Sequence, residues 1–196
     1  MQTYNPITQE IVDKLKAITG PSYVKTDKDI LVQYQTDYEN DPQKFHMPEA
    51  AVLPANAEEI SQIVKLANEY HFPITVRSGG TSLADGAIPV CGGLVLCMDR
   101  LNKIIELNEE GMYMTVEAGV RTVDLQNAAK KVGLMYAGDP SSAESCLIGG
   151  NLATNAGGNK AVKYGTTRNQ IYGTKIVTPT GDIVDVGARL QKCSTG

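Results

Sequence analysis

Residues 140–169 read PSSAESCLIGGNLATNAGGNKAVKYGTTRN. Two glycine pairs, Gly149-Gly150 and Gly157-Gly158, bracket a short polar stretch. Residues this small bury almost no apolar area, so a packed core gains little from them. They also cost backbone entropy to order. A long segment of this kind inside a compact domain is either functional or disordered. The embedded Ile148, Leu152 and Ala153 argue for order. A solvated loop is the competing reading.

A second glycine-rich loop lies upstream, after a β-branched strand predicted at residues 74–76. It runs Arg77-Ser78-Gly79-Gly80-Thr81-Ser82 and continues to Asp85-Gly86. Glycine removes the Cβ that keeps a ligand from the backbone, and it admits positive φ. Successive N–H groups in such a turn converge on an anion. Thr81 and Ser82 add hydroxyl donors, and Arg77 adds charge. A pyrophosphate suits this chemistry. A tight strand-exit turn explains the loop equally well on its own.

The frame around the two loops is mixed. Ile7, Ile11, Leu15 and Ile18 recur at helical spacing, with Gly20 to close the helix. A short helix is expected over residues 30–34, a polar loop over 37–48 and a buried strand over 50–53. Asn56 with Glu59 resembles a capping box, and Ile60, Ile63, Val64, Ala67 and Tyr70 continue as a helix. Residues 94–97 read as a further strand. Asn108-Glu109-Glu110-Gly111 marks one hairpin and Pro179-Thr180-Gly181-Asp182 another. Thr122 is placed to cap a helix ending before Gly133. The sum is α+β: a small parallel βαβ lobe, then a larger, mainly antiparallel sheet lobe with flanking helices. The expected division is an N-terminal helical segment at 1–49, the small lobe at 50–100 and the larger lobe at 101–196.

With 196 residues the chain suffices for one domain or two small lobes. A net charge of −4 argues against a nucleic-acid surface. Cys91, Cys97, Cys146 and Cys193 show no C-x-x-C spacing and lie apart from His46 and His71, so no metal site is expected. No leader or bilayer-length apolar run is read, and a cytoplasmic protein with reduced thiols follows. G-x-G-x-x-G, the P-loop, H-E-x-x-H and G-x-S-x-G are all absent.

Three segments carry a resemblance: VRSGGTSLADGAIP at 76–89, VEAGV at 116–120 and the stretch at 140–169. Together they resemble the PCMH-type FAD-binding domain of FAD-linked oxidases in the vanillyl-alcohol-oxidase superfamily. Within it, the likeness is to the glycolate oxidase and D-lactate dehydrogenase branch. The resemblance implies that Arg77, Ser78, Gly79, Gly80, Thr81 and Ser82, with Gly86, wrap the FAD pyrophosphate. It places Pro140, Ser141 and Ser142, then Gly149, Gly150, Asn151, Thr154, Asn155, Gly157 and Gly158, along the flavin and ribityl chain. Tyr164, Gly165 and Thr167 continue that wall, and Ile183 serves the adenine side.

Some members of the superfamily attach FAD through a histidine after the paired glycines of the first loop. Here that position is Thr81, so non-covalent FAD is expected. Family members also continue well beyond residues 192–196 into a cap domain, so the chain reads as truncated. The implied reaction is oxidation of a 2-hydroxy acid by hydride transfer to flavin N5. The implied acceptor is oxygen, a quinone or a partner subunit. Alternatives are an inactive FAD-binding module, or a parent enzyme acting on a sugar lactone. No catalytic base is identified: His71 closes a helix, His46 sits in a polar loop, and Glu117 lies in a strand.

Overall fold

The computed structural model describes residues 3–188. The expected chain end at residues 192–196, with Cys193, lies outside them.

The first helix, α1 (Gln9–Thr19), begins where the Thr8 hydroxyl accepts from the Ile11 N–H at 3.4 Å. It ends at Gly20, whose φ of +93° suits a residue without a Cβ. Its apolar stripe, Ile11, Val12 and Leu15, is buried. A short strand, β1 (Val24–Lys25), follows. At two residues it offers no periodicity to read, and the sequence does not announce it. Asp27 caps α2 (Lys28–Leu31), which tightens into a 3₁₀ turn over Val32–Tyr34.

Then come β2 (Ala50–Val52), α3 (Ala57–Tyr70), β3 (Ile74–Arg77) and β4 (Leu94–Cys97). The sheet order is β1-β2-β4-β3, with β2, β4 and β3 parallel and β1 antiparallel. The expected βαβ unit is present, with β4 inserted between its two strands. All four β4 residues are buried, as an interior parallel strand requires. Ile11, Leu15 and Val24 share one core with Val52, Ile63, Leu94 and Leu96, so the N-terminal residues help build the sheet lobe. At the start of α3 the Asn56 side chain accepts from the Glu59 N–H at 2.8 Å. Glu59 returns its carboxylate to Ala55 N–H at 2.7 Å, one residue beyond a standard capping box. His71 ends the helix with φ +56° and is exposed.

The hairpins fall where their turns predict, as β5 (Ile104–Asn108) with β6 (Tyr113–Val116), and β7 (Gly173–Val177) with β8 (Ile183–Gly187). Between them lie α4 (Thr122–Lys131), α5 (Ile148–Ala153) and α6 (Ala161–Tyr164). The second hairpin folds back onto α3, where Asn68 donates to Pro179 O at 2.8 Å and Ser61 donates to Gly181 O. Together these elements make the expected α+β architecture.

Two local expectations are corrected. Thr122 does not cap α4: it is the first helical residue, fully buried, and the flanking Arg121 makes no side-chain cap. The Gly149-Gly150 pair lies inside a short helix, α5. Among the described residues no helix is long and apolar enough to cross a membrane.

Candidate functional site

Arg77 ends β3, and its register partner Cys97 ends β4 beside it. Loops leaving the carboxyl ends of parallel strands form the usual binding crevice of such sheets. The Arg77 guanidinium does not stand free in that crevice. Its Nη1 donates to Thr36 O at 2.6 Å and to Ala87 O at 3.3 Å, tying the loop to the N-terminal segment. Burial lowers its pKa from the ordinary arginine value, against the pull of Cys97, Tyr34, Asp37 and Asp99. Gly80 has φ +64°, and a Cβ there would strike the Arg77 guanidinium.

The segment read as a plain polar loop braces the first glycine loop from outside. The buried Asp37 accepts from Glu39 N–H at 3.1 Å and from Asp85 N–H at 3.2 Å. Lys44 bridges Glu39 at 2.8 Å and Asp85 at 3.1 Å. Inside this brace, the backbone N–H groups of Gly79, Gly80, Thr81 and Ser82 have no acceptor among the described residues. Four successive open donors at a strand end are the chemistry that a pyrophosphate needs.

The second glycine-rich segment is built in the opposite way. Its turn closes on itself through Ala143 N–H to Pro140 O at 3.0 Å and Cys146 N–H to Ser142 O at 2.8 Å. It then docks along residues 118–123. Thr122 N–H donates to Cys146 O (3.1 Å), Val123 N–H to Ala143 O (2.9 Å), Ile148 N–H to Val120 O (2.9 Å) and Gly149 N–H to Ala118 O (2.8 Å). The loop's carbonyls thus satisfy the first N–H groups of α4, which explains the missing side-chain cap.

Several glycines serve this packing. A Cβ on Gly79 would lie 2.5 Å from Ser145 O, and one on Gly150 would lie 2.9 Å from the Ser78 Cβ. The two glycine-rich loops therefore touch each other closely. Gly149 packs against Ala118, and Gly158 against the Asp139 carbonyl. Gly86 and Gly157 are not crowded in this way.

A trough runs along the loop junction. One pocket of it, about 310 Å³, is lined by Arg77, Ser78 and Gly79, by Ser145 and Leu147, and by Gln33, Tyr34, Asp99 and Arg121. An adjoining pocket, about 450 Å³, adds Asn102, Gly119 and Asp124 and shares Asp99, Arg121 and Leu147. Asp124 grips Arg121 through two bonds of 2.9 and 3.1 Å. Burial raises the pKa of the Tyr34 hydroxyl and pushes the Cys97 thiol up to about 12. Both groups therefore stay protonated beside the trough at neutral pH.

Of the sequence-predicted site residues, Arg77, Ser78 and Gly79 line the trough. Gly80, Thr81, Ser82 and Gly86 continue their loop. Pro140, Ser141 and Ser142 form the turn behind Ser145. Gly149, Gly150 and Asn151 lie in α5, with the Asn151 side chain buried on Thr122 at 2.6 Å. Thr154 donates to Gly150 O at 3.0 Å, the Asn155 side chain accepts from Arg168 N–H at 3.0 Å, and Thr167 donates to Ala156 O at 2.8 Å. Tyr164 is partly exposed, and Gly165 has φ +80°. Ile183 sits in β8, on the hairpin that packs on α3, and does not line the trough.

Sequence reasoning missed Gln33, Tyr34, Asp99, Asn102, Gly119, Arg121, Asp124, Ser145 and Leu147. Asp99 follows the carboxyl end of β4, which was the available signal.

Residues 48–187 match a family model described as an FAD binding domain. The chain is 38% identical over 190 residues to glycolate oxidase subunit GlcD of Bacillus subtilis, covering 97% of this chain and 40% of that protein. It is 37% identical over 196 residues to a D-lactate dehydrogenase of Anaerostipes hadrus, covering 98% and 40%. Among solved structures, alkyldihydroxyacetonephosphate synthase superposes with a TM-score of 0.82 at 26% identity, over 98% of this chain and 37% of that one. p-Cresol methylhydroxylase does so with 0.78 at 27% identity, over 93% and 37%. The chain thus spans about 40% of the length of the curated relatives it matches.

Proposed function

This chain belongs to the FAD-binding-domain family, and on that premise we propose that it is the flavin-holding part of an oxidoreductase acting on a 2-hydroxy acid. The observation that carries the reading is the run of open N–H donors at Gly79–Ser82 beside the trough. These donors would hold the pyrophosphate, with the Arg77 charge behind them. Ser145 and Leu147 form the facing wall, and the Pro140–Ser142 turn and the segment 149–167 keep that wall in place. When bound, FAD would supply the hydride acceptor at flavin N5. The chain's own task is to fix and shield the cofactor, and substrate choice is not assigned to it. The names of the relatives favour glycolate, D-lactate or a similar 2-hydroxy acid, and in this reading a quinone or a partner subunit takes the electrons.

FAD is held non-covalently in this reading. Thr81 offers no attaching nitrogen, and the Cys146 thiol is buried against the Thr122 hydroxyl at 3.2 Å. We place the protein in the cytoplasm, in keeping with the free thiols of Cys91, Cys97 and Cys146.

The visible absorption spectrum of the purified chain tests this, before and after adding FAD and removing the excess. A retained flavin band released by denaturation is expected. A band that stays with the denatured protein overturns non-covalent binding, and no band in either state overturns the flavin-holding role.

A further inference from the structure

We propose that Thr122 and Asn151 form a positioning pair that sets the far wall of the trough. The inference rests on the flavin-holding role and reassigns Asn151 from cofactor ligand to support. Thr122 is fully buried at the start of α4, and Asn151 is 5% exposed in α5. The Asn151 amide donates to the Thr122 hydroxyl at 2.6 Å, and Cys146 Sγ lies 3.2 Å from the same oxygen. One hydroxyl thereby joins α4, α5 and the loop between them.

That loop presents Ser145 and Leu147 to the trough, on either side of Cys146. Its carbonyls at Ala143 and Cys146 also cap α4. A slip of the loop would release the cap and move the wall together. Removing the hydroxyl leaves a buried amide without an acceptor, which costs more than the bond itself was worth. The cheapest relief is for the loop to open and admit water. Cys146, 2% exposed, reports that opening.

The test compares the unmutated chain with Thr122→Val, which keeps the side-chain shape, and Thr122→Ser, which keeps the hydroxyl. The alkylation rate of Cys146 by iodoacetamide is read by peptide mass spectrometry, and FAD affinity by quenching of flavin fluorescence. Thr122→Val should speed Cys146 labelling and weaken FAD binding, each by roughly tenfold, the factor that about 1.4 kcal/mol produces. Thr122→Ser should stay near the unmutated chain in both, and it carries the test if the valine chain does not fold.

Unchanged labelling in Thr122→Val overturns the pair. Faster labelling with unchanged FAD affinity overturns its positioning role. A serine chain as impaired as the valine chain shows packing rather than hydrogen bonding, and also overturns it. An unmutated chain that protects Cys146 yet binds no FAD defeats the flavin-holding role, and the positioning role falls with it.

Discussion

The two glycine-rich loops have similar composition and opposite construction. The first keeps its backbone donors open and is braced by side chains from elsewhere: Arg77 on Thr36 and Ala87, and Asp37 on Asp85. The second spends its backbone on its own turn and on residues 118–123. Glycine content therefore does not distinguish a loop with open donors from a packing joint. The destination of the N–H groups does.

The sharpest way to break the contrast is at the point where the loops meet. In Gly79→Ala the new Cβ would lie 2.5 Å from a backbone oxygen of the second loop, which has no flexible end to yield. A loss of about 3 kcal/mol of stability is expected in urea unfolding, at the upper end for overpacking. FAD binding should go with it. Gly86→Ala, where a Cβ meets nothing within 4 Å, should leave stability within about 0.5 kcal/mol of the parent or raise it.

Next in size is Asp37→Ala, which removes the acceptor of two backbone N–H groups. It should cost about 2 kcal/mol and weaken FAD binding while Cys146 labelling stays slow. Fast labelling would mean that the loops open as one unit, and the contrast between them would be lost.

Alkaline pH sharpens the comparison further. Burial pushes the Cys97 thiol, under the first loop, from 9.0 to about 12. It pushes Tyr136, near the second, from 10.0 to about 12. In both cases the folded state holds its proton where the unfolded chain has lost it. Their stabilising contribution is therefore complete below pH 9 and falls as pH rises through the window from 9 to about 12. Urea midpoints measured across that window should decline, and Cys97→Ala should delay the onset by about a unit. A flat profile would mean that neither group is held protonated by the fold.

The smallest effect belongs to Lys44→Ala. Its partners Glu39 and Asp85 are about 40% exposed, and solvent screens such pairs. The thermal midpoint should not move measurably, and added salt should change it no differently from the parent. A clear drop would make the brace electrostatic and not one of backbone hydrogen bonds.

Much of the frame was legible because its signals are local. Asn56 with Glu59 marked the start of α3, the stretch Leu94–Cys97 announced a strand, and turn residues marked both hairpins. α5 was not legible, because Gly149, Gly150 and Asn151 are poor helix formers held in that form by tertiary packing. Thr122 looked like a cap by type, but its hydroxyl answers to Asn151, 29 residues away. Arg77, Ser78 and Gly79 reach the trough together because they are consecutive in one motif. Tyr34, Asp99 and Arg121 reach the same trough from three separate elements, and each alone reads as an ordinary surface residue.

The position of β4 also dictates an order of events during synthesis. β2 and β3 are not neighbours, since β4 lies between them and is made last. Until residue 97 has left the ribosome, these two strands have no shared hydrogen-bonding partner. The nascent chain up to β3 holds β2 and β3 with open inner edges, the kind of species that chaperones shield. β4 pairs with both of them and sets Arg77 beside Cys97. The strand ends that carry Arg77 and Cys97 thus meet only once the sheet closes, and the facing wall of the trough, Ser145 and Leu147, comes later in the chain.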